Sequence, residues 1–223
     1  MSTKKKSSQR IKRASTDEQK ESRRESILAA ARKLVDKPVS ELPKVDNISD
    51  HCGLAKGTIY IYFKTKEEVF LAVTREEYEK YFDFAKELTL TLKNKTDKTE
   101  LLADGVVKYI TENRRFIFLS SISNNIIEQN IDAEIAFEYK QFISSRLIEL
   151  GKIFEDTFDL SKGNGNKMLI RLFALIIGIW QLSNPPKKVL KIYKEKGMDE
   201  MLPDFEIELK AAMIGLLHGS GLK

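Results

Sequence analysis

The chain has 223 residues, of which 42% are hydrophobic and 32% charged, a balance typical of a folded protein that excludes a largely disordered one. A single cysteine, Cys52, excludes an internal disulfide framework, and with only two histidines the chain offers no set of ligands for a metal site. The net charge of +5 is uneven, because residues 1–24 hold nine Lys or Arg against three Asp or Glu. Such a basic arm indicates attraction to a polyanion, the alternative being a solubilising tail.

Targeting and membrane segments are not predicted. No apolar run follows the N-terminal lysines, so we expect no signal peptide. The longest apolar stretch, Leu169 to Leu182, is interrupted by Arg171 and Gln181 and is too short to span a bilayer. These features predict a cytoplasmic protein.

The N-terminal part predicts a disordered arm followed by a first helix. Residues 1–20 are basic and lack periodicity. The Ser-x-x-Glu patterns at Ser15 and Ser22 are typical of capping boxes, so the helix should begin near one of them. Pro38 should end it. The apolar face of this helix is predicted at Ile27, Ala30, Ala31, Leu34 and Val35.

Two short helices and a long one should follow. The second is predicted from Val45 to Cys52, with Gly53 in the left-handed conformation after its end. The third is predicted over 55–63, with Ile59 and Phe63 facing inward. A Thr-x-x-Glu capping box at Thr65 opens a fourth helix that should end near Asn94.

The remainder, 68–223, also predicts only helices, and the fold class is therefore all-α. There is no strand-like alternation and no internal repeat, and Pro and Gly number only 5 and 11. Pro203 suits the first position of the last helix. The predicted segments are 100–113, 114–127, 133–158, 167–183, 188–196 and 203–218, with a flexible loop over 159–166.

Three short helices joined by a glycine-containing turn are typical of a helix-turn-helix, which we place at 21–67. Gly57 leaves room for a close approach of the backbone to DNA. Donors to phosphates and bases are available along the third helix, on Lys56, Thr58, Tyr60, Tyr62 and Lys64.

The segment GLAKGTIYIYFKTKEEVF resembles the signature of the tetracycline-repressor (TetR) family of transcription regulators. Upstream, RRESILAAARKLV and VDNISDHCG also resemble the first two helices of that family. The close resemblance covers about 21–74; the rest is similar only in being helical and of suitable length.

The resemblance implies a set of DNA-binding residues. Tyr60 and Lys66 would hydrogen-bond phosphates, and Lys44 and Val45 would face the backbone beside the neighbouring groove. Residues of the third helix would lie in or beside the major groove. The full candidate set is Lys44, Val45, Ala55, Lys56, Gly57, Thr58, Tyr60, Ile61, Tyr62, Lys64 and Lys66.

The sequence departs from the family pattern at several positions. Ala55 stands where Ser is frequent, which removes one expected phosphate contact. Ile61 replaces an aromatic residue or His and would make an apolar contact, such as one to a thymine methyl. Pro43-Lys44 replaces Thr-Thr, so the second helix lacks a hydroxyl cap, and Pro38-Val39 replaces a region that commonly holds Gly.

The family also implies a homodimer and an effector cavity. The apolar helices Lys167–Ser183 and Phe205–Leu217 are the predicted dimer interface. The cavity would lie within 80–182, although a phenylalanine-rich core needs no ligand. Candidate ligand-binding residues, with Asn124 a further polar anchor, are Phe116, Phe118, Ile122, Asn125, Glu128, Tyr139, Phe142 and Phe173.

We therefore expect a sequence-specific DNA-binding regulator, a repressor that a small-molecule effector releases from a palindromic operator. No cofactor and no metal are expected, and neither the effector nor the operator is named by any residue cluster. The alternatives are a helical adaptor without DNA readout and a helical enzyme. Against the enzyme, the sequence lacks a phosphate-binding glycine loop, metal-ligand spacing and a nucleophile elbow.

Overall fold

The computed structural model describes residues 3–36 and 41–222, with side chains from Asp17 onward, and every regular element in this part of the chain is a helix. The chain divides into two compact units, Met1–Val73 and Thr74–Lys223. The functional boundaries expected at 20/21 and 67/68 remain predictions.

Helix α1, Thr3–Leu34, is much longer than predicted. Residues 3–20, expected to be disordered, are helical, and the predicted starts near Ser15 and Ser22 are wrong. Ser22 lies inside the helix, where its carbonyl accepts a hydrogen bond from Ser26 Oγ at 2.9 Å. The physical reason is composition: α1 contains neither Pro nor Gly and is rich in Lys, Arg, Gln and Glu, which favour helix. The predicted stop at Pro38 lies outside the described residues.

The first unit contains α1, α2 (Val45–Cys52), α3 (Lys56–Tyr62) and the start of α4 (Lys66–Thr91). In this unit α1 packs against α2, and α2 packs against α3. The predicted apolar face of α1 is confirmed at Ile27, Ala30 and Ala31, which are buried, and Val35 is buried just after the helix ends. Leu34 is only partly buried. A small core forms because short helices can exclude water only by sharing their apolar sides. Its other fully buried side chains include Ile48, Ile59, Val69 and Phe70.

The second unit holds the rest of α4 and six further helices. The predicted helix over 114–127 changes at Ile122 into a π-helical turn, Ser123–Ile127, followed by a short 3₁₀ turn. The last helix begins after Asp204, whose carboxylate accepts a hydrogen bond from Ile207 N–H at 3.0 Å, and not at Pro203. The helices are α5 (Lys98–Glu112), α6 (Arg114–Ile122), α7 (Ala133–Phe158), α8 (Asn164–Ser183), α9 (Lys187–Lys196) and α10 (Phe205–Gly219).

Helices α7 and α8 meet at two buried glycines. A Cβ atom built on Gly165 would lie 2.1 Å from the backbone oxygen of Gly151, and one built on Gly151 would meet Asn166. Glycine is therefore required at both positions for the backbones to approach. The start of α8 is fixed by Glu155, whose carboxylate accepts hydrogen bonds from the N–H groups of Gly163 and Gly165.

Helix α8 is apolar but only partly covered. The helix has 20 residues, Asn164–Ser183, three more than the predicted 167–183, and by length and composition it could cross a membrane. The prediction that the apolar stretch Leu169 to Leu182 is too short therefore does not hold for the whole helix. Only 22% of its apolar window is buried within the chain. One or two helices of this kind are weak evidence of a membrane span, since helices of soluble proteins meet the same criterion.

Several apolar residues predicted at the dimer interface lie inside the second unit instead. Ile176, Leu172, Leu209 and Met213 are at most 5% exposed, because α8 and α10 use these side chains to pack within the chain. Five of the apolar or small residues that stay exposed on these helices define what we call the α8–α10 surface: Ala174, Leu182, Ile207, Ala211 and Gly215.

Candidate DNA-binding helix and effector cavity

The turn between α2 and α3 is closed by local hydrogen bonds. Gly53 has a φ of 67°, in the left-handed region that glycine adopts readily, and its N–H donates to Ser49 O at 2.9 Å. Ser49 Oγ donates to Leu54 O at 2.6 Å. Ile48 and Ile59 are buried on the two sides of this turn. The orientation of α3 against α2 is therefore determined by residues next to the turn.

The start of α2 has a cap that the sequence analysis missed. Asn47 Oδ1 accepts a hydrogen bond from Lys44 N–H at 3.0 Å. This bond satisfies the N–H of Lys44 itself, as the second half of a capping box does, whereas no hydroxyl caps the N–H groups inside the first turn. The Asn at the third helical position is the signal that could have revealed it.

The predicted capping box between α3 and α4 is present in a shifted form. Glu68 N–H donates to Thr65 Oγ1 at 3.1 Å, as expected. The Glu68 carboxylate accepts from Lys64 N–H at 2.7 Å, one residue before Thr65. Glu68 is only 8% exposed, so this acid joins the end of α3 to the first turn of α4.

Helix α3 separates inward from outward residues as predicted. Ile59 is 1% exposed and Phe63 is 6% exposed, whereas Tyr60 is 46% exposed and Ile61 is 78% exposed. An isoleucine with most of its surface in water contributes nothing to the core. We define the α3 face by the exposed residues of this helix, together with Lys64 just after its end: Lys56, Gly57, Tyr60, Ile61 and Lys64.

The other candidate DNA-binding residues differ in exposure. Lys44 and Ala55 are exposed, and Thr58, Tyr62 and Lys66 are partly exposed. The prediction that Val45 faces the DNA backbone is wrong for its side chain. This side chain is 7% exposed and packs inside the first unit, because it begins the apolar side of α2. Only its backbone N–H, free at the first turn of a helix, could contact a phosphate.

Gly57 has no packing role within the chain. A Cβ atom built on it would meet no atom within 4 Å. Its φ does not lie in the left-handed region, so neither space nor conformation requires glycine there in the free protein. The absence of a side chain therefore leaves open space on the outward side of α3.

Two lysines of the region are next to acids. Lys56 Nζ lies 2.7 Å from Asp46 Oδ1, and the hydrogen bond to Asp46, with its negative charge, raises the pKa of Lys56. Lys66 Nζ lies 3.7 Å from Glu67 Oε1. Both ammonium groups are partly or mostly in water, where such pairs are weak and exchange readily for another anion.

The second unit encloses a cavity of about 410 Å³. Its wall is mainly aromatic and aliphatic, and of the residues that line it only Glu128 and Lys140 carry a charge. The lining residues are Tyr78, Tyr81, Phe82, Ala85, Thr89, Leu102, Val106, Ser120, Ser123, Asn124, Glu128, Tyr139, Lys140, Ile143, Leu147, Leu150, Phe154, Leu169, Ile170, Leu172 and Phe173.

Some of the predicted ligand-binding residues line this cavity and others do not. Glu128, Tyr139 and Phe173 do, as does the further anchor Asn124. Phe116 is instead part of the core, where its ring stacks on Tyr81 at 4.6 Å between centroids. The remaining predicted residues that do not line the cavity are Phe118, Ile122, Asn125 and Phe142.

The structural reasons differ between these residues. Phe142 is covered by the guanidinium group of Arg75, 4.7 Å from its ring centroid. Asn125 is exposed to solvent on the π-helical turn. On α6 and the π-helical turn, Ser120 and Ser123 face the cavity, so Phe118 and Ile122 point elsewhere.

Sequence reasoning missed the contribution of α4. Tyr78, Phe82, Ala85 and Thr89 recur at intervals of three or four residues and line the cavity together. That spacing was a usable signal, because it describes one side of a helix. Burial raises the pKa of Tyr78 to about 12 and raises that of Tyr139 well above its ordinary value, so both hydroxyls stay protonated.

We call Ser123, Asn124, Glu128 and Lys140 the polar end of the cavity. Glu128 accepts hydrogen bonds from Ser123 Oγ at 3.0 Å and from Lys140 Nζ at 2.7 Å. Lys140 Nζ also lies 3.5 Å from Asn124 Oδ1. The remaining wall offers few polar atoms, so the cavity suits a molecule with one polar end and an apolar body. Among the described residues there is no group of three or more His, Cys, Asp or Glu that could hold a metal ion.

A helix-turn-helix with an outward-facing third helix, followed by a helical unit with an apolar cavity, defines a one-component DNA-binding regulator. Comparison with family models agrees. Residues 27–73 match the model for bacterial regulatory proteins of the tetR family, and residues 78–221 match the tetracyclin repressor-like C-terminal domain. The chain belongs to the TetR family of transcription regulators, and the predicted family, fold class and DNA-binding function are confirmed.

Solved structures are also similar. The fatty acid degradation regulator FadR from Bacillus halodurans is 18% identical with a TM-score of 0.54, over 90% of this chain and 97% of that one. A structure from Shewanella sp. PV-4, described as of the tetR family of transcription regulators, is 13% identical with a TM-score of 0.51. The match covers 87% of this chain and 95% of that one. At these identities the likeness concerns the fold alone. No curated protein matches the sequence.

Proposed function

We propose that this regulator is a homodimeric repressor that binds a palindromic operator through α3 and releases it when a small molecule fills the cavity. The observation that carries the proposal is the continuity of α4. This one helix bears Lys66 in its first turn, and Tyr78, Tyr81, Phe82, Ala85 and Thr89 on the cavity wall further along. A ligand that shifts the cavity end of α4 would also shift its first turn.

The α3 face would supply the base contacts. The side chains of Tyr60 and Ile61 are free to enter the major groove, because Ile59 and Phe63 already supply the buried side of the helix. Gly57 would let the backbone come close to the DNA. Ile61 offers only apolar surface, which fits contact with a thymine methyl group.

Phosphate contacts would come from residues around the α3 face. Lys44, Lys56, Lys64 and Lys66 can neutralise phosphates, and the backbone N–H of Val45 can donate to one. Ala55, Thr58 and Tyr62 complete the set at the ends and edge of α3. Since residues 25–74 hold equal numbers of acidic and basic residues, the contribution of this part of the chain to affinity would depend on the placement of these lysines and not on its net charge.

Dimerisation would bury the α8–α10 surface. Leu182 is 64% exposed and Ile207 is 66% exposed in the single chain, and such large apolar side chains gain from being removed from water. Ala211 and Gly215 follow Ile207 at four-residue intervals, and such small residues allow a facing helix to approach closely. Burial of α8 in a dimer also fits a cytoplasmic protein better than insertion into a membrane.

The proposal is tested by coupling between the two sites. Compounds that raise the melting temperature of the purified protein would first be selected as cavity ligands. Their affinity for the free protein and for the operator-bound protein would then be compared by calorimetry. We expect the operator to weaken ligand binding by the same factor by which the ligand weakens operator binding.

A cavity-filling variant supplies the control. Ala85 lines the cavity and is 7% exposed, so Ala85→Phe should fill part of it and weaken ligand binding. The same compounds should then change the operator affinity of this variant less than that of the wild type. Equal ligand affinities for free and operator-bound wild-type protein would contradict the switch. They would leave a constitutive DNA-binding protein with an unused cavity.

A further inference from the structure

At the polar end of the cavity, one of the protein's own side chains supplies a positive charge. The ammonium group of Lys140 contacts both carboxylate oxygens of Glu128, at 2.9 and 2.7 Å. The same ammonium lies 5.8 Å from the ring centroid of Tyr139, within the range of a cation–π contact. The wall thus provides a carboxylate and an aromatic ring around one positive charge.

The two partners of this ion pair are unequally placed. The Glu128 side chain is 15% exposed, whereas the Lys140 side chain is 53% exposed. Lys140 can turn its ammonium into water at little cost, because it sits on the outer side of the site and has a flexible stem. Glu128 cannot follow, since it is held by Ser123 Oγ and accompanied by the tyrosines of the wall. A carboxylate that is mostly shielded from water and left without a cation would be unfavourable.

A π-helical turn builds this arrangement. The turn Ser123–Ile127 interrupts the helical path after Ile122 and places both Ser123 and Asn124 on the cavity wall. Glu128 follows directly. Such turns are rare and are often found at functional sites, which fits a turn maintained for ligand binding rather than for packing.

From these observations we propose that the effector is a lipophilic cation, whose ammonium group replaces that of Lys140 on Glu128 while its apolar part fills the cavity. The inference rests on the proposed function of the cavity as the effector site. An anionic ligand placed at Lys140 would lie beside the Glu128 carboxylate and be repelled by it. A neutral ligand would leave the Lys140–Glu128 pair intact and gain nothing from it.

Three probes of equal chain length separate these cases: decylammonium and decanoate, each below its micelle concentration, and decanol below its solubility limit. Calorimetry with the full-length wild-type protein should give decylammonium an affinity at least about tenfold above the other two, the size expected for a charged hydrogen bond. Glu128→Gln should remove about tenfold of that affinity. Lys140→Gln should keep or increase it, because the competing ammonium is gone.

Glu138→Gln is the matched control, because it removes the same charge from an exposed position on α7 and should leave all three affinities unchanged. Tighter binding of decanoate, no binding of decylammonium, or an unchanged decylammonium affinity in a folded Glu128→Gln protein would each overturn the proposal. The comparison of the three probes on wild-type protein decides the matter even if Glu128→Gln fails to fold.

A parallel measurement separates this proposal from the proposed function. Fluorescence anisotropy of labelled operator DNA would be followed as each probe is added. Release of the operator by decanoate or decanol, but not by decylammonium, would keep the effector switch and reject the cation. Binding of decylammonium without any change in operator affinity would keep the cation site and reject the switch.

Discussion

Lys56 of α3 and Asp46 of α2 form an ion pair, with 2.7 Å between Nζ and Oδ1, beside the surface that is proposed to meet DNA. The ammonium group of Lys56, which belongs to the α3 face, is thus paired with a carboxylate on the neighbouring helix α2. A phosphate must therefore compete with Asp46 for Lys56, and the Asp46 carboxylate itself repels the DNA backbone.

Replacing Asp46 should strengthen DNA binding. Asp46→Asn frees Lys56 and removes one repulsive charge, so affinity should rise several-fold for all DNA sequences alike, as expected for a phosphate contact. Asp50→Asn is the control, because it removes the same charge from the same helix at another exposed position. Anisotropy titrations with operator and unrelated DNA give both values. Weaker binding by Asp46→Asn would mean that Asp46 positions Lys56 for its contact.

Lys66 provides a test of the phosphate assignment. Lys66→Ala should weaken binding to every DNA sequence and reduce the slope of log affinity against log salt by about one unit. Lys108→Ala removes the same charge from an exposed site on α5 and should leave the slope nearly unchanged. A change in the preferred sequence with an unaltered salt slope would argue that Lys66 reads bases.

Replacing Gly57 by alanine should change the stability of the protein and its affinity for DNA in opposite directions. In the free protein an added methyl group meets no atom, and alanine favours helix, so Gly57→Ala should raise the free energy of unfolding by up to about 1 kcal/mol. If DNA approaches the backbone there, the same methyl group should lower operator affinity. Thermal unfolding and anisotropy measure the two effects. An unchanged operator affinity would show that DNA does not approach Gly57.

The α8–α10 surface can be tested without disturbing the core. Ile207→Asp places a charge that is harmless in the exposed single chain but buried and unpaired in the proposed dimer, at a cost of several kcal/mol. Sedimentation should then show folded monomers that bind the operator weakly. Leu90→Asp, at a position 49% exposed on α4, should remain dimeric. A dimeric Ile207→Asp protein would place the interface elsewhere.

The first unit could be predicted well because its signals are local. Gly53, the spacing of Ile59 and Phe63, and the Thr65–Glu68 pair each constrain residues within a few positions of themselves. The structure confirms the turn, the inward side of α3 and, in shifted form, the capping box. The length of α1 was missed because capping patterns also occur inside helices when the surrounding residues favour helix.

The cavity could be predicted only in part. Whether an aromatic residue lines a cavity or fills the core depends on how neighbouring helices are rotated, which no short pattern encodes. Phe116 and Tyr139 are both buried aromatics, yet only Tyr139 lines the cavity. The π-helical turn adds a further rotation after Ile122. For the same reason Ile176 was predicted on the interface although it packs inside the chain.

The most direct test of DNA readout by the α3 face is selection of random-sequence DNA with the purified wild-type protein and with Ile61→Ala. We expect the wild type to enrich an inverted repeat with half-sites about one helical turn, or a multiple of it, apart. Ile61→Ala should enrich the same repeat with a weakened preference at one position of each half-site, and Ile192→Ala on α9 should match the wild type. If the wild type enriched no sequence, or if Ile61→Ala enriched a motif identical to that of the wild type, DNA readout by the α3 face would be contradicted.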